Sequence, residues 1–328
     1  SQSLSAVQEA SPIEDYGLTL VAAATPQQYY GERRDGKVLH REFVRESRTA
    51  EEVLDLAEGV RFALGSGRRE RCYLLDREGV LLQSPITWRT AESRWRITPR
   101  YEQGENFRFE KRVGDDCLFC HSGRPDTETY GANRYGNPIF HEAAIGCERC
   151  HGPGEVHAKR HRENPNWSGE DLTIVNPDSL PRELAEAVCQ QCHLQGVSWC
   201  TTSGHDVWDF RPGQRISDIR VDYQYALGGD GGMRIVGHVE QMHASECYKQ
   251  TETMTCVTCH DPHNPVPHEE RIDFYRSVCL DCHDDAACGK PHDDRMRLAD
   301  NNCYQCHMPR ADTNVTHAAF HHHQIAVH

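Results

Sequence analysis

Short hydrophobic runs are concentrated in the first third of the chain. Residues 37–44 (KVLHREFV), 71–76 (RCYLLD) and 80–88 (VLLQSPITW) are rich in leucine, β-branched and aromatic residues, a composition typical of β-strands. The DREG sequence at 76–79 predicts a hairpin turn between the last two runs. The more polar segment 47–59 predicts a short helix or a loop. Together these patterns predict a small β-rich N-terminal module over residues 1–112.

From residue 113 onward the chain is interrupted by many Pro, Gly, Asn and Asp residues, so only short helices are expected there. The pattern of apolar positions favours helices at about 182–194, 272–283 and 295–307. The long stretch 194–255 predicts an excursion of loops with a short strand or helix. We therefore expect the second region, residues 113–328, to be mostly irregular and α-helical.

All three predicted helices end in Cys-x-x-Cys-His, and this motif occurs six times between residues 117 and 307. Its spacing is typical of covalent c-type haem attachment, in which two cysteines form thioethers and the next histidine ligates the iron. The attachment cysteines are Cys117, Cys120, Cys147, Cys150, Cys189, Cys192, Cys256, Cys259, Cys279, Cys282, Cys303 and Cys306. The proximal ligands are His121, His151, His193, His260, His283 and His307. Two Cys-x-x-Cys pairs can instead share one zinc ion, but zinc does not explain a histidine after every second cysteine.

The composition fits a chain whose core is completed by cofactors. Only 37% of the 328 residues are hydrophobic, and the six motifs are too closely spaced for a separate aliphatic core around each. We therefore expect residues 113–328 to form a hexahaem c-type cytochrome domain organised around stacked haems. The net charge of −14 argues against nucleic acid and anionic lipid as partners.

The sequence also predicts the compartment. No stretch is long and apolar enough to span a membrane, and no signal peptide is evident. The chain begins at Ser1 rather than methionine, which suggests a processed, exported protein. Because haem c is attached outside the cytoplasmic membrane in bacteria and archaea, we expect a periplasmic, cell-surface or extracellular location.

Cys72, Cys200, Cys247 and Cys288 lie outside the motifs. In an oxidising compartment four such cysteines predict two disulfides with three connectivities, and buried free thiols are the alternative. Asp pairs at 115–116, 284–285 and 293–294 could bind calcium. No EF-hand loop is present, so solvated surface acid is the favoured interpretation.

A sixth ligand on each iron separates electron carriers from catalysts. Fifteen histidines remain after the six proximal ones, enough to close every site, so bis-histidine ligation is favoured. His157 follows His151 too closely to reach the opposite face of the same haem, and we expect it to ligate a neighbouring haem or to lie at the surface. Met308 directly follows His307 and is too close to cross its haem.

Several long segments resemble the multihaem cytochromes c that are often fused to tetratricopeptide repeats and are related to the electron carriers of hydroxylamine oxidation. The resemblance runs from about residue 60 to the C-terminus and is carried by NPIFHEAAIGCERCHGPGEVH, AVCQQCHLQG, DFRPG, GHVEQM, TCVTCHDPH, NNCYQCHMPR and THAAFHHHQI. The chain differs in lacking the family's extra N-terminal motif and the helical repeats. It also reads GSGRRERCYL where the family commonly has GSG-x-x-ARSYL.

The resemblance implies further ligands and disulfides. The positions that match the family's recurring histidines are distal-ligand candidates, with two more in reserve: His141, His157, His238, His263, His317 and His323, then His328 and His40. Cys247 and Cys288 fall where the family often carries cysteine, whereas Cys72 and Cys200 are particular to this chain. The implied pairings are Cys247–Cys288 and Cys72–Cys200.

The expected function is electron transfer through six closely spaced bis-histidine haems, with redox proteins or a terminal acceptor as partners. The alternative is an oxidoreductase that acts on nitrite or hydroxylamine at an open haem. Such enzymes often mark the open haem by a changed proximal residue, and no Cys-x-x-Cys-Lys occurs here. The histidine-rich segment 317–328 also suggests head-to-tail assembly into a filament, in which His328 or His40 would ligate a haem of the next subunit.

Overall fold

The computed structural model describes residues 3–10, 12–17, 21–22, 25–45, 52–99, 101, 107–127, 133–194, 196, 198–223, 237–313 and 319–327. The chain divides into two compact units, Ser1–Arg149 and Cys150–His328. This division lies further along the chain than the predicted boundary at residue 112, and it falls inside the second motif, between Arg149 and Cys150.

The first unit is built on two antiparallel sheets. One sheet has the order β2–β3–β4–β5, and the other has the order β1–β6–β7–β9–β10 with β8 paired to β7. The strands are β1 (Leu4–Ala6), β2 (Val21–Ala22), β3 (Gln28–Arg34), β4 (Lys37–Arg45), β5 (Glu52–Gly59), β6 (Phe62–Leu64), β7 (Glu70–Arg77), β8 (Val80–Gln83), β9 (Ile86–Arg89) and β10 (Arg94–Ile97). They are followed by α1 (Asp115–His121), β11 (Arg124–Pro125), β12 (Phe140–Glu142) and α2 (Glu148–His151), the last of which crosses into the second unit.

The predicted hairpin turn at 76–79 is confirmed. Arg77 of β7 pairs with Val80 of β8, and the two residues between them, Glu78 and Gly79, both have positive φ angles (54° and 84°). That combination matches the right-handed twist of the strands. A side chain at Gly79 would place its Cβ 2.3 Å from the Tyr135 carbonyl oxygen, so only glycine fits at this position.

The prediction of a helix or a loop at 47–59 is wrong for residues 52–59, which form strand β5. Leu54 and Leu56 alternate with the exposed Val53 and Asp55, which is the period of a strand with one covered face. Pairing with β4 determines that this segment is a strand, because local propensity alone does not distinguish a strand from a helix in so polar a segment.

The second unit consists of short elements joined by loops and 3₁₀ turns. Its helices are α3 (Glu155–Glu163), α4 (Arg182–His193), α5 (His238–His243), α6 (Glu246–Gln250), α7 (Arg271–Leu280), α8 (His292–Ala299) and α9 (Cys303–His307). Its described strands form two small antiparallel sheets, β13 (Ser198–Thr201) with β14 (Arg220–Tyr223), and β15 (Arg310–Asp312) with β16 (Ala319–His321). No helix in the described part of the chain is long and apolar enough to cross a membrane.

The predicted helix at 182–194 is confirmed as α4, whereas the predictions at 272–283 and 295–307 need correction. Helix α7 ends at Leu280, before the end of its motif. The last prediction covers two helices, because Asp300 and Asn301 adopt positive φ angles that end α8. The side chain of Asn302 then accepts a hydrogen bond from the Gln305 backbone and begins α9.

The two units differ in how much apolar core they bury. The first unit has an extended core that includes Trp95, Tyr73, Tyr29, Trp88 and Phe109. In the second unit, one described core cluster contains only Ala187, Phe210, Ile216 and Ile219. Helix α7 carries five large apolar residues among ten, and none of its residues is buried.

Candidate metal centres

Each Cys-x-x-Cys-His motif lies on a helical turn. The motifs occupy the end of α1, the whole of α2 with the preceding Cys147, the end of α4, the 3₁₀ turn beginning at Cys256, the end of α7 with the turn that follows it, and the whole of α9. Residues i, i+3 and i+4 share one face of a helical turn. Both cysteines and the histidine of a motif therefore face the same side. His193 and His307 end their helices as predicted, whereas His283 lies beyond the end of α7. His121 and His151 also end helices, which the sequence analysis did not predict.

The motif cysteines are accessible for bonding. All twelve are exposed or partly buried, and none is in a disulfide. Neighbouring motifs come into contact through their cysteines, since Cys189 and Cys256 share a hydrogen bond, as do Cys279 and Cys303. The hydrogen bond between Cys189 and Cys256 raises the pKa of the Cys256 thiol and lowers the pKa of the Cys189 thiol. The third and fourth motifs are thus adjacent, and so are the fifth and sixth.

The arrangement of the cysteines does not suit a zinc ribbon, which needs four ligand atoms converging on one ion. The described residues include every motif. A search of them for three or more His, Cys, Asp or Glu side chains close enough to share an ion finds the group His157, His161 and Asp171. This group contains no cysteine, so two motifs do not form a shared zinc site in this structure.

Two proximal histidines have a fixed tautomer. His151 Nδ1 donates to the Val175 carbonyl oxygen at 2.8 Å, and His307 Nδ1 donates to the Ala326 carbonyl oxygen at 2.8 Å. A hydrogen bond from Nδ1 to a carbonyl leaves the lone pair on Nε2, which is the usual arrangement for a metal-binding histidine.

Four predicted ligands, two proximal and two distal, gather in one histidine cluster of the second unit. His193 Nδ1 lies 3.3 Å from His238 Nδ1, and the rings of His238 and His323 have centroids 4.5 Å apart. The ring of His260 lies 6.2 Å from that of His323. Burial lowers the pKa of His323 to about 4, so its imidazole is neutral near pH 7 and able to bind a metal.

A second pair joins the proximal His151 with the predicted distal His263. Their ring centroids are 5.9 Å apart and the ring planes differ by 13°. The backbone around His263 is fixed by Asp261, whose Oδ1 accepts hydrogen bonds from the His263 and Asn264 amides at 2.8 and 3.1 Å.

His157 lies on α3 with a different set of partners. His157 Nδ1 is 2.9 Å from Asp171 Oδ2, and His161 Nε2 is 3.0 Å from the same oxygen. Arg160 Nη1 donates to the other oxygen, Oδ1, at 2.8 Å. Hydrogen bonds from Thr173, together with those from the two histidines, hold the pKa of the Asp171 carboxyl well below its usual range.

The remaining distal candidates are not brought to a metal-binding motif by the described contacts. His141 is exposed on β12. His40 is buried among aromatic rings, with its centroid 4.8 Å from that of Tyr73 and 5.1 Å from that of Trp95, and its Nδ1 lies 2.6 Å from Ser84 Oγ. His317 and His328 lie outside the described residues.

The structure adds histidines that the sequence did not single out. His321 Nδ1 donates to the Met308 carbonyl oxygen at 2.8 Å, so its Nε2 is left available in the same way as that of His151 and His307. His243 is engaged instead by Glu186, with Nε2 to Oε2 at 2.8 Å. The run of three histidines at 321–323 carries no sequence signal that distinguishes His321, the last residue of β16, from His322.

The four cysteines outside the motifs are also thiols in this structure. Cys72 accepts a hydrogen bond from Thr87 Oγ1 at 3.4 Å, and burial raises the pKa of its thiol to about 11. Cys200 and Cys288 are exposed and Cys247 is partly buried. The pairings Cys247–Cys288 and Cys72–Cys200 stay predictions.

Comparison with known proteins identifies one relative. The chain is 24% identical over 190 residues to the multiheme cytochrome MtrA of Shewanella baltica (strain OS185), an alignment that covers 53% of this chain and 54% of the relative. The chain therefore spans about half the length of the curated relative it matches. No protein-family model and no solved structure matches. The similarity supports a multihaem cytochrome, while the tetratricopeptide fusion and the relation to hydroxylamine oxidation stay predictions.

Proposed function

We propose that this chain is an exported c-type cytochrome that carries six haems and transfers electrons through them. The observation that carries the proposal is the sixfold Cys-x-x-Cys-His motif, each copy on a helical turn with accessible thiols. The similarity to a multihaem cytochrome supports the same cofactor class. The six motif histidines are the proposed proximal ligands.

The donor set and the apolar surface of the second unit both fit haem. Two thiols and an imidazole on one face of a turn are the groups that attach and ligate haem c. Helix α7 carries five large apolar residues among ten and buries none of them, and Phe274 and Leu280 are each 37% exposed. An apolar helix that is left uncovered in this way is a surface that a partner or a cofactor can cover. Porphyrin faces would cover such side chains. The bound haems would supply one-electron redox chemistry.

We further propose that the protein closes both axial positions with histidine. His151 and His263 are the proposed pair for the haem attached at Cys147 and Cys150, since their rings lie nearly parallel. His193, His238, His260 and His323 are proposed to ligate two adjacent haems, because their rings lie in one cluster. Fixed imidazoles on both sides keep substrate away from the iron and limit the protein to accepting and donating electrons.

The alternative proposal is an oxidoreductase that acts on nitrite or hydroxylamine at an open haem. A ferric absorption and EPR spectrum of the purified protein distinguishes the two functions. The electron-transfer proposal predicts low-spin haems throughout and no carbon monoxide binding by the reduced protein. One high-spin haem that binds carbon monoxide would contradict it and favour the enzyme.

We also propose that copies of this protein assemble into a filament that transfers electrons between subunits. A ligand donated by a neighbouring copy would make assembly and completed coordination one event, and a head-to-tail contact of this kind does not close. Of the two candidates, His40 is buried in the first unit, and His328 lies outside the described residues. Electron microscopy of the native protein at working concentration tests this, and uniform monomers with six closed haems would refute it.

A further inference from the structure

Five hydrogen-bond donors hold the carboxylate of Asp171. His157 Nδ1 and His161 Nε2 approach Oδ2 at 2.9 and 3.0 Å. Arg160 Nη1, the Thr173 amide and the Thr173 hydroxyl approach Oδ1. Its side chain is only 12% exposed. The carboxylate is therefore fixed in place against helix α3.

A shared metal ion does not explain this group. A carboxylate offers about four lone-pair sites, and five donors already occupy them. The Arg160 guanidinium, a permanent cation, bonds the same carboxylate and would repel a divalent ion. A hydrogen-bonding role explains the arrangement without displacing any of these contacts.

The hydrogen bond orients His157. Because Nδ1 is bonded to Asp171, the lone pair of the imidazole lies on Nε2, on the side of the ring away from the carboxylate. His157 and Asp171 reproduce the carboxylate–histidine–metal pattern, in which the carboxylate fixes the ring and makes the imidazole a stronger donor. A stronger axial donor stabilises the ferric state of a haem and lowers its reduction potential.

Three of the other proposed ligands, His151, His263 and His307, have weaker partners. His151 and His307 donate to neutral backbone carbonyls. His263 Nδ1 lies 3.8 Å from Asp261 Oδ1, beyond hydrogen-bond distance. Among His151, His157, His263 and His307, His157 is thus the one with a carboxylate within 3 Å of its ring nitrogen.

We propose that Asp171 is a positioning residue for His157: its carboxylate holds the imidazole through Nδ1, presents Nε2 to a haem iron and lowers the reduction potential of that haem. This inference rests on the proposed function, because it requires His157 to be an axial ligand. It predicts that the six haems differ in reduction potential, and that the hydrogen bond between Asp171 and His157 is one cause of the difference.

Redox titration of the holoprotein, followed by optical and EPR spectra, tests the inference in Asp171→Asn. The expected result is one haem whose potential rises and whose low-spin EPR signal shifts, with six haems still attached by mass. Asp171→Glu keeps the charge and should restore part of the original potential. Asp178→Asn is the matched control, since Asp178 is an exposed acid in the same segment, and it should leave all six potentials unchanged.

Two outcomes would overturn the inference. Unchanged potentials in Asp171→Asn, even with a lower melting temperature, would give Asp171 a purely structural role. Stoichiometric Zn²⁺ binding by the wild-type holoprotein that is lost in His161→Ala would assign the group to a separate metal site. The variant His157→Ala tests the ligand assignment separately from the role of Asp171. A fully low-spin spectrum of this variant would show that His157 is not an axial ligand.

Discussion

His151 and His263 lie side by side, with ring centroids 5.9 Å apart and planes that differ by only 13°. One is the histidine of the second motif, and the other follows the histidine of the fourth motif by three residues. Segments far apart in the sequence therefore supply two imidazoles to one place. A haem closed by this pair would tie the two motifs together, so its ligation would also organise the fold of the second unit.

Replacing His263 tests this pairing. His263→Ala should convert one haem from low to high spin and allow it to bind carbon monoxide when reduced, because its sixth position loses the imidazole. All six haems should remain attached, since no motif cysteine changes. The ferric absorption spectrum and carbon monoxide titration of the variant measure both effects.

A neighbouring histidine provides the control for that experiment. His268 is exposed and belongs to a 3₁₀ turn five residues further on, so His268→Ala should leave the spectrum entirely low-spin. A low-spin His263→Ala protein would show that the ligand assignment is wrong.

Replacing a motif cysteine should affect attachment rather than spin state. Cys259→Ala removes one of two thioethers at the fourth motif, and we expect incomplete or lost attachment of that haem. Denaturing mass spectrometry would then find a population one haem lighter than the wild type. Cys200→Ala, outside the motifs, should keep the full haem mass. Equal haem content in the two variants would contradict this prediction.

The burial of His40 predicts a pH dependence in the first unit. Burial lowers its pKa to about 3 from an ordinary value of 6.5, so the folded unit keeps it neutral while the unfolded chain takes up a proton below pH 6.5. Stability should therefore fall as the pH decreases from 6.5 towards 3, by about 1.4 kcal/mol per unit at most. Hydrogen exchange of peptides from β4, corrected for intrinsic rates, measures this loss.

His40→Leu isolates the contribution of that one side chain. The variant cannot take up the proton, so between pH 7 and pH 5 its protection should change less than that of the wild type by roughly 2 kcal/mol. The substitution costs some stability at every pH because the contact with Ser84 is lost. Parallel pH profiles in the two proteins would show that His40 is not held neutral by the fold.

The sequence was most informative where chemistry depends on spacing. The motifs predicted twelve attachment cysteines and six proximal histidines, which stay predictions. The DREG turn located a hairpin that the structure confirms. The sequence was less informative where tertiary pairing decides, as in β5, whose polar alternation becomes a strand only beside β4. The break between α8 and α9 depends on positive φ angles at Asp300 and Asn301, which asparagine and aspartate tolerate but do not require.

The same limit applies to the ligands. The sequence offered a pool of distal histidines, but it could not show that His151 meets His263 or that His40 is enclosed by Tyr73 and Trp95. Contacts between distant segments leave no local pattern. The role of Asp171 was also hidden, because a single aspartate in a polar loop looks like solvated surface charge.

The proposed function depends on six covalently attached haems, and the intact mass of the purified protein under denaturing conditions tests their presence most directly. The expected mass is that of the polypeptide plus six haems, with no bound zinc by elemental analysis. A mass equal to the polypeptide alone, or to the polypeptide with fewer than six haems, would contradict it.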